Sequence, residues 1–143
     1  MNSIVMLHSH PTDPVDSLFH LRRVASLSRS AQSYWDDRLV CRFANRACEE
    51  WFGIDPELIV GTTLKDFFET LGMVPYLVCA ERARRGDCSA ILQPFGRGRA
   101  RREGWAHYVP DFRADDFAGL LIEVSPLPGS DRPTGKLTSL LGW

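Results

Sequence analysis

The sequence predicts an α+β domain, an antiparallel sheet covered on one face by short helices, with an amphipathic helix in front of it. Three observations carry this. Extended segments with alternating polarity lie at residues 33–44 and again after residue 88, framing a helical middle. Polar reversals between neighbouring strands make sequential strands antiparallel. Gly and Pro cut the helical middle into short pieces. The length of 143 residues, with 44% hydrophobic and 24% charged positions, is that of one globular domain able to bury a core without disulfide or metal staples.

Asp13-Pro14-Val15-Asp16 is a helix start: an Asp cap, Pro at the first helical position, and a carboxylate facing the positive end of the dipole. The helix is expected over 14–32. This divides the chain into a flexible N-terminus (1–13), the helix (14–32), a folded domain (33–126) and a Pro/Gly-rich tail (127–143). Leu18, Leu21, Val24 and Ala25 form a broken apolar stripe, the candidate dimer face. The run is too short and irregular for a coiled coil, and docking on its own domain or on a second copy both stay open.

Trp35-Asp36-Asp37-Arg38 reads as a turn, with a hairpin at Asp36-Asp37. In the strand that follows, Leu39, Cys41 and Phe43 alternate with Val40, Arg42 and Ala44. Asn45 leads into a helix from Ala47 to Phe52, stopped by Gly53, and Asp55-Pro56-Glu57 starts a turn ending at Gly61. Thr63 and Asp66 resemble a capping box for a helix from Leu64 to Leu71. Pro75 opens a longer helix that stops at Gly86. Strands are expected at Cys88 to Phe95, Trp105 to Pro110 and Gly119 to Ser125, reversed at Gly96-Arg97-Gly98 and Asp115-Asp116. The prolines and glycines after Ser125 leave no regular structure before about Leu137.

No apolar run approaches the roughly 20 residues of a transmembrane helix. Nor does a basic n-region precede Ile4 to Leu7, so no secretory signal is read and the expected location is the cytoplasm. Cys41, Cys48, Cys79 and Cys88 include no C-x-x-C pair and read as reduced thiols. A net charge of −1 provides no general attraction to nucleic acid or anionic lipid.

The stretch from Arg38 to Gly53, with Asn45-Arg46-Ala47 between a strand and a short amphipathic helix, resembles the opening of a PAS domain. Pro56-Glu57-Leu58-Ile59-Val60-Gly61 is similar to the family's next element. Tyr108-Val109-Pro110 followed by Gly119 to Ile122 is similar to the final hairpin of the subgroup with Tyr-x-Pro in its fourth strand. The resemblance covers residues 33 to 126. It implies a five-stranded antiparallel sheet enclosing a small sensory pocket, and dimerisation through an N-terminal helix. By the same resemblance the pocket is walled by the helices Thr63 to Leu71 and Pro75 to Arg85 and by the inner strand faces, with Phe43, Phe67, Met73, Tyr76, Ile91, His107 and Ile122 as candidates. Each is equally readable as plain core. Where many sensor relatives carry Asp-Ile-Thr, this chain has Ser125-Pro126-Leu127, and Pro126 rules out a continuous signalling helix there. Output is then expected through surface contact, dimer rearrangement or the N-terminal helix.

Cofactor chemistry finds little to hold it, and no cofactor is assigned. Photoactive flavin relatives carry Asn-Cys-Arg-Phe on the third short helix, whereas Cys41-Arg42-Phe43 lies on the strand before Asn45 and Leu64 to Leu71 has no cysteine. Haem-binding relatives use a histidine on the long helix, and Pro75 to Arg85 has none. His107 on a strand reads more simply as a hydrogen-bonded polar residue. His8-Ser9-His10 lacks further ligands for a metal. No catalytic motif or nucleophile–base–orienter trio is spelled out. One charge feature stands out: from Glu81 to Arg102 seven arginines face two acids, leaving +5. Arg97, Arg99, Arg101 and Arg102 make the hairpin tip a candidate basic face for phosphate, nucleic acid or an acidic protein, although no aromatics are interleaved for base stacking, which disfavours nucleic acid.

The leading expectation is a non-catalytic, cytoplasmic sensory or protein-interaction module, homodimeric, with a signalling-protein partner and a small pocket ligand as further candidates. The alternatives are a nucleic-acid or phosphate-ligand binder using the basic hairpin face, and a small-molecule enzyme on an α+β cone.

Overall fold

The computed structural model describes residues 14–72, 76–96 and 101–128. Helix α1 (Pro14–Leu27) is followed by strands β1 (Ala31–Asp36) and β2 (Cys41–Ala44). Four short helices come next: α2 (Ala47–Phe52), α3 (Pro56–Ile59), α4 (Leu64–Thr70) and α5 (Tyr76–Arg84). Strands β3 (Ser89–Phe95), β4 (Arg102–Arg113) and β5 (Asp116–Pro126) complete one sheet of order β2-β1-β5-β4-β3, antiparallel throughout.

Period-two burial decides which sheet face meets the helices. Ala31, Ser33 and Trp35 on β1, Gln93 and Phe95 on β3, Ala106 and Tyr108 on β4, and Leu120, Ile122 and Val124 on β5 are buried. Against them pack Trp51 and Phe52 of α2, Phe67 and Phe68 of α4, and Tyr76 and Cys79 of α5. The rings run in series: Trp35 lies 5.5 Å from Phe67, Phe67 5.1 Å from Phe52, and Phe68 stacks on Tyr76 at 4.9 Å.

Local signals place the short helices. Gly53 stops α2 in the left-handed conformation (φ 73°), where a Cβ would be strained. The Asp55 side chain accepts the N–H of Glu57 at the start of α3, and the Thr63 side chain accepts that of Asp66 at the start of α4.

Three expectations need correcting. The first helix ends at Leu27, not near residue 32, because Ala31 to Asp36 pair along β5, with Ala31 opposite Val124 and Asp36 opposite Gly119. Trp35 and Asp36 therefore belong to β1, and the turn moves to Asp37-Arg38, closed by Leu39 at φ 59°. Both long strands overrun their apolar segments, reaching Arg102–Arg113 and Asp116–Pro126 with the turn at Ala114-Asp115, since ladder bonds do not need apolar side chains. Pro75 and the Arg97-Gly98 reversal lie outside the described residues, as do 1–13 and 129–143.

Candidate functional site

The space between the helices and the inner sheet face collects most of the expected pocket residues. Phe67, Tyr76 and Ile122 are buried there, and Ile91, opposite buried Ala106, is half-buried on the same side. Met73 lies outside the described residues. His107 must be reassigned. It neighbours Tyr108, which faces inward, so pleating turns His107 to the opposite face, opposite Ala90 and Glu123. Phe43 is reassigned too: it pairs with Tyr34 on β1, a position of the outer sheet face, and lines a groove beside α1.

A polar cluster that sequence reading missed sits on the inner face of β3 and β4. Gln93 is 3% exposed, and the wholly buried Tyr108 donates its hydroxyl to Gln93 Oε1 at 3.5 Å. Gln93 Nε2 has no hydrogen-bond partner among the described residues. A buried amide donor without an acceptor costs about 1–3 kcal/mol, a cost that a carbonyl-bearing ligand or a water would remove. Burial pushes the Tyr108 hydroxyl and the Cys79 thiol up from their ordinary values, with the Arg82 charge opposing the shift at Cys79. The signal was present in the alternation, since Gln93 shares the parity of Phe95.

Two side chains hold the C-terminal end of α1. Asn45 is buried, donates from Nδ2 to the carbonyls of Ala25 and Ser30 at 2.9 Å each, and accepts the Gln32 N–H at 2.9 Å. Trp51 Nε1 donates to the Arg29 carbonyl at 3.1 Å. These carbonyls follow or end a helix that has no glycine stop of its own, so the domain core supplies its cap. Trp51 in turn packs edge-on against Phe95 and lies under the Arg102 guanidinium, 3.5 Å from the ring centroid. The clasp therefore touches both the packed core at Phe95 and the dimer-helix candidate.

Helix α1 itself is turned outward. Leu18, Phe19, Leu21, Val24 and Leu27 are 51% to 72% exposed, while Ala25 is half-buried. The outer sheet face shows Leu92, Trp105 and Val109 partly exposed. There the Tyr34 hydroxyl donates to Asp111 Oδ2 at 2.7 Å, and burial together with that bond pushes Tyr34 up to about 12. At the β1–β2 turn, Asp36 accepts the N–H groups of Arg38 (2.9 Å) and Val40 (3.0 Å) and pairs with Arg42 at 2.7 Å. Burial works against ionisation there, but these bonds outweigh it and hold Asp36 below the usual carboxylate range. Of the basic-face candidates, Arg102 lies over the Trp51 ring and Arg101 is exposed, while Arg97 and Arg99 lie outside the described residues; Arg84, nearby in sequence, lies over Phe117. Among the described residues no group of three or more His, Cys, Asp or Glu is placed to hold a metal, and no helix is long and apolar enough to cross a membrane.

Comparison with known proteins sets this geometry in context. A family model described as PAS fold matches residues 27–126. No curated protein sequence matches the chain. Among solved structures, an RNA-binding light-oxygen-voltage receptor aligns at TM-score 0.63 and 19% identity, over 92% of this chain and 40% of its own. The PAS domain of nitrogen regulation protein NR(II) from Vibrio parahaemolyticus aligns at 0.56 and 18%, over 75% and 97%. The E. coli DhaR(N)–DhaL complex aligns at 0.61 and 11%, over 87% and 39%. This chain thus spans about two-fifths of the first and third of these, and at such identities the likeness is one of fold.

Proposed function

Because the chain belongs to the PAS fold family, we propose that it is a non-catalytic, cytoplasmic sensory or protein-interaction module that works as a homodimer through α1. The observation that carries this reading is the outward-turned α1: five large apolar side chains, each more than half exposed, on a helix whose end is clasped by the core. Water is a poor solvent for so much exposed apolar surface, and a second copy would bury the part that faces it. The buried Gln93 amide, without a partner among the described residues, supports a small ligand carrying an acceptor such as a carbonyl. Such a ligand would signal only by favouring one arrangement of core and helix over another. That a neighbour of the same fold is solved in complex with DhaL supports a protein partner as the alternative input or output. The phosphate or nucleic-acid reading has less behind it, since no aromatics are interleaved with the arginines for base stacking.

Leu21→Glu tests the reading. Leu21 is 67% exposed, so the fold tolerates the change, whereas a helix-mediated dimer does not. Each buried leucine contributes about 1.5 kcal/mol here and counts twice in a twofold dimer, so even Leu21→Ala raises Kd by roughly a hundredfold. Sedimentation equilibrium showing an unchanged dimer in Leu21→Glu would remove α1 from the mechanism.

A further inference from the structure

Helix α5 has two faces. Tyr76, Cys79, Ala80 and Ala83 are buried against the core. On the opposite face Leu77 and Val78, 52% and 63% exposed, open a groove of about 380 Å³ that Glu81, Arg82 and Arg85 complete. Helical spacing builds it: Leu77, Glu81 and Arg85 stand four apart along one ridge, Val78 and Arg82 along the next. Neither Arg82 nor Arg85 has an ion pair among the described residues. The other side of the molecule carries the opposite charge. From Glu49 to Glu69 six acids face one lysine, leaving −5, against the +5 between Glu81 and Arg102. Within that acidic stretch Leu58 of α3 is 70% exposed. Exposed Glu57 precedes it, and a 2.9 Å bond from its N–H to the Asp55 carbonyl brings exposed Asp55 beside it. Helix α3 packs on β2 and α5 on β3 and β4, strands that the sheet order sets at opposite edges.

We propose that the α5 groove receives α3 of a second copy, Leu58 entering beside Leu77 and Val78 while the carboxylates around it face Arg82 and Arg85. Charge complementarity carries the choice of occupant. The two arginines of the groove outweigh Glu81, and the exposed leucine that would fill it stands among acids. Within one chain the two surfaces lie at opposite edges and cannot meet, so the acidic surface comes from another copy. The contact is heterologous, one kind of surface against the other, and it uses neither α1 nor the dimer reading. Three apolar side chains fall well short of the roughly 800 Å² per partner of a stable interface, so the association is transient. Its charges stand at the surface, so salt weakens it.

The test is sedimentation velocity of the full chain at concentrations up to about 1 mM, in about 0.05 M and about 0.5 M NaCl, with far-UV circular dichroism to establish folding. At low salt the average mass is expected to rise with concentration, and at high salt to return to that of the assembly made by α1. Leu58→Ser and Val78→Ser change no charge, and each should raise Kd about tenfold. Leu92→Ser, exposed on the other face of the sheet, is the control expected to leave Kd unchanged. Glu57→Arg with Leu58→Arg should abolish the association, as should Arg82→Glu with Arg85→Glu. An equimolar mixture of these two double variants should regain it, because each supplies the charge that the other needs. A mass that ignores salt, wild-type Kd in both serine variants, or a mixture that stays apart would overturn the proposal. Repeating the series in Leu21→Glu separates it from α1: salt-sensitive association that persists there supports the groove, and its disappearance would assign the association to α1 and overturn the groove.

Discussion

Replacing Gly104 by alanine should loosen α1 from more than one strand away. A Cβ at Gly104 would lie 2.7 and 2.8 Å from two ring carbons of Trp51 and 2.9 Å from a methyl of Val124. Carbon pairs settle near 3.5 Å or more, so the indole must retreat by about 0.7 Å or the strand must bend. Neither is free, because the ring already meets Phe95 and Arg102. Overpacking of this kind costs about 1–3 kcal/mol, and the melting temperature should fall by roughly 3–10 °C. The same displacement, applied to an Nε1–carbonyl bond of 3.1 Å, takes it past hydrogen-bonding distance and removes the Trp51 bond to Arg29. Urea unfolding should show a lower midpoint with an unchanged slope. Hydrogen exchange should rise at residues 28–30 while the β4–β5 ladder stays protected. Wild-type stability would refute the packing argument; lowered stability without faster exchange at 28–30 would refute the link from Trp51 to α1.

Other perturbations probe different parts of the account. Gly119→Ala should be harsher, since its Cβ would press on the Trp35 backbone carbonyl at 2.6 Å as well as on the Tyr34 hydroxyl; a melting temperature within 2 °C of wild type would contradict this. Asp36→Asn should cost about 1 kcal/mol at neutral pH. Because the folded state lowers the Asp36 pKa, that contribution is present above the unfolded carboxylate value of about 4 and fades as pH falls through the lower folded value, so the gap to wild type should close in acid; a gap that widens there would be inconsistent. Burial pushes Cys41 up to about 11 and Cys48 up to about 12, so a thiol reagent at pH 8 should label exposed Cys88 rapidly and the other three only on unfolding. Labelling of Cys48 at the rate of Cys88 would show that the core opens readily.

Local chemistry made much of the fold legible in the sequence. The α2 helix and its Gly53 stop, the Asp55-Pro56 start of α3 and the Thr63 cap of α4 all act within four residues, and all stand where the pattern put them. The end of α1 was not legible, because its cap is Asn45, twenty residues beyond Ala25, and because Ser28-Arg29-Ser30 carries no stop signal of its own. His107 stands one step of parity from the inward-facing Tyr108, since the family resemblance that offered it does not reveal which of two adjacent strand residues faces inward. Phe43 failed for a related reason: β2 is an edge strand that pairs with β1 across a bulge, so only Cys41 of its expected inner face is buried. Gln93 was read past as a polar residue in a strand, although its alternation with Phe95 already put it on the buried side. That Arg102 lies on a tryptophan ring was not legible either, because composition does not register which ring a guanidinium covers.

The most direct test of the central claim is a native mass spectrum of the freshly purified full chain, recorded beside a denatured one. The expected result is twice the 16.2 kDa chain mass, falling to one chain mass in Leu21→Glu, with any extra mass lost on denaturation identifying a bound ligand. A wild-type chain that is monomeric across the micromolar range, or a dimer that Leu21→Glu leaves intact, would contradict it.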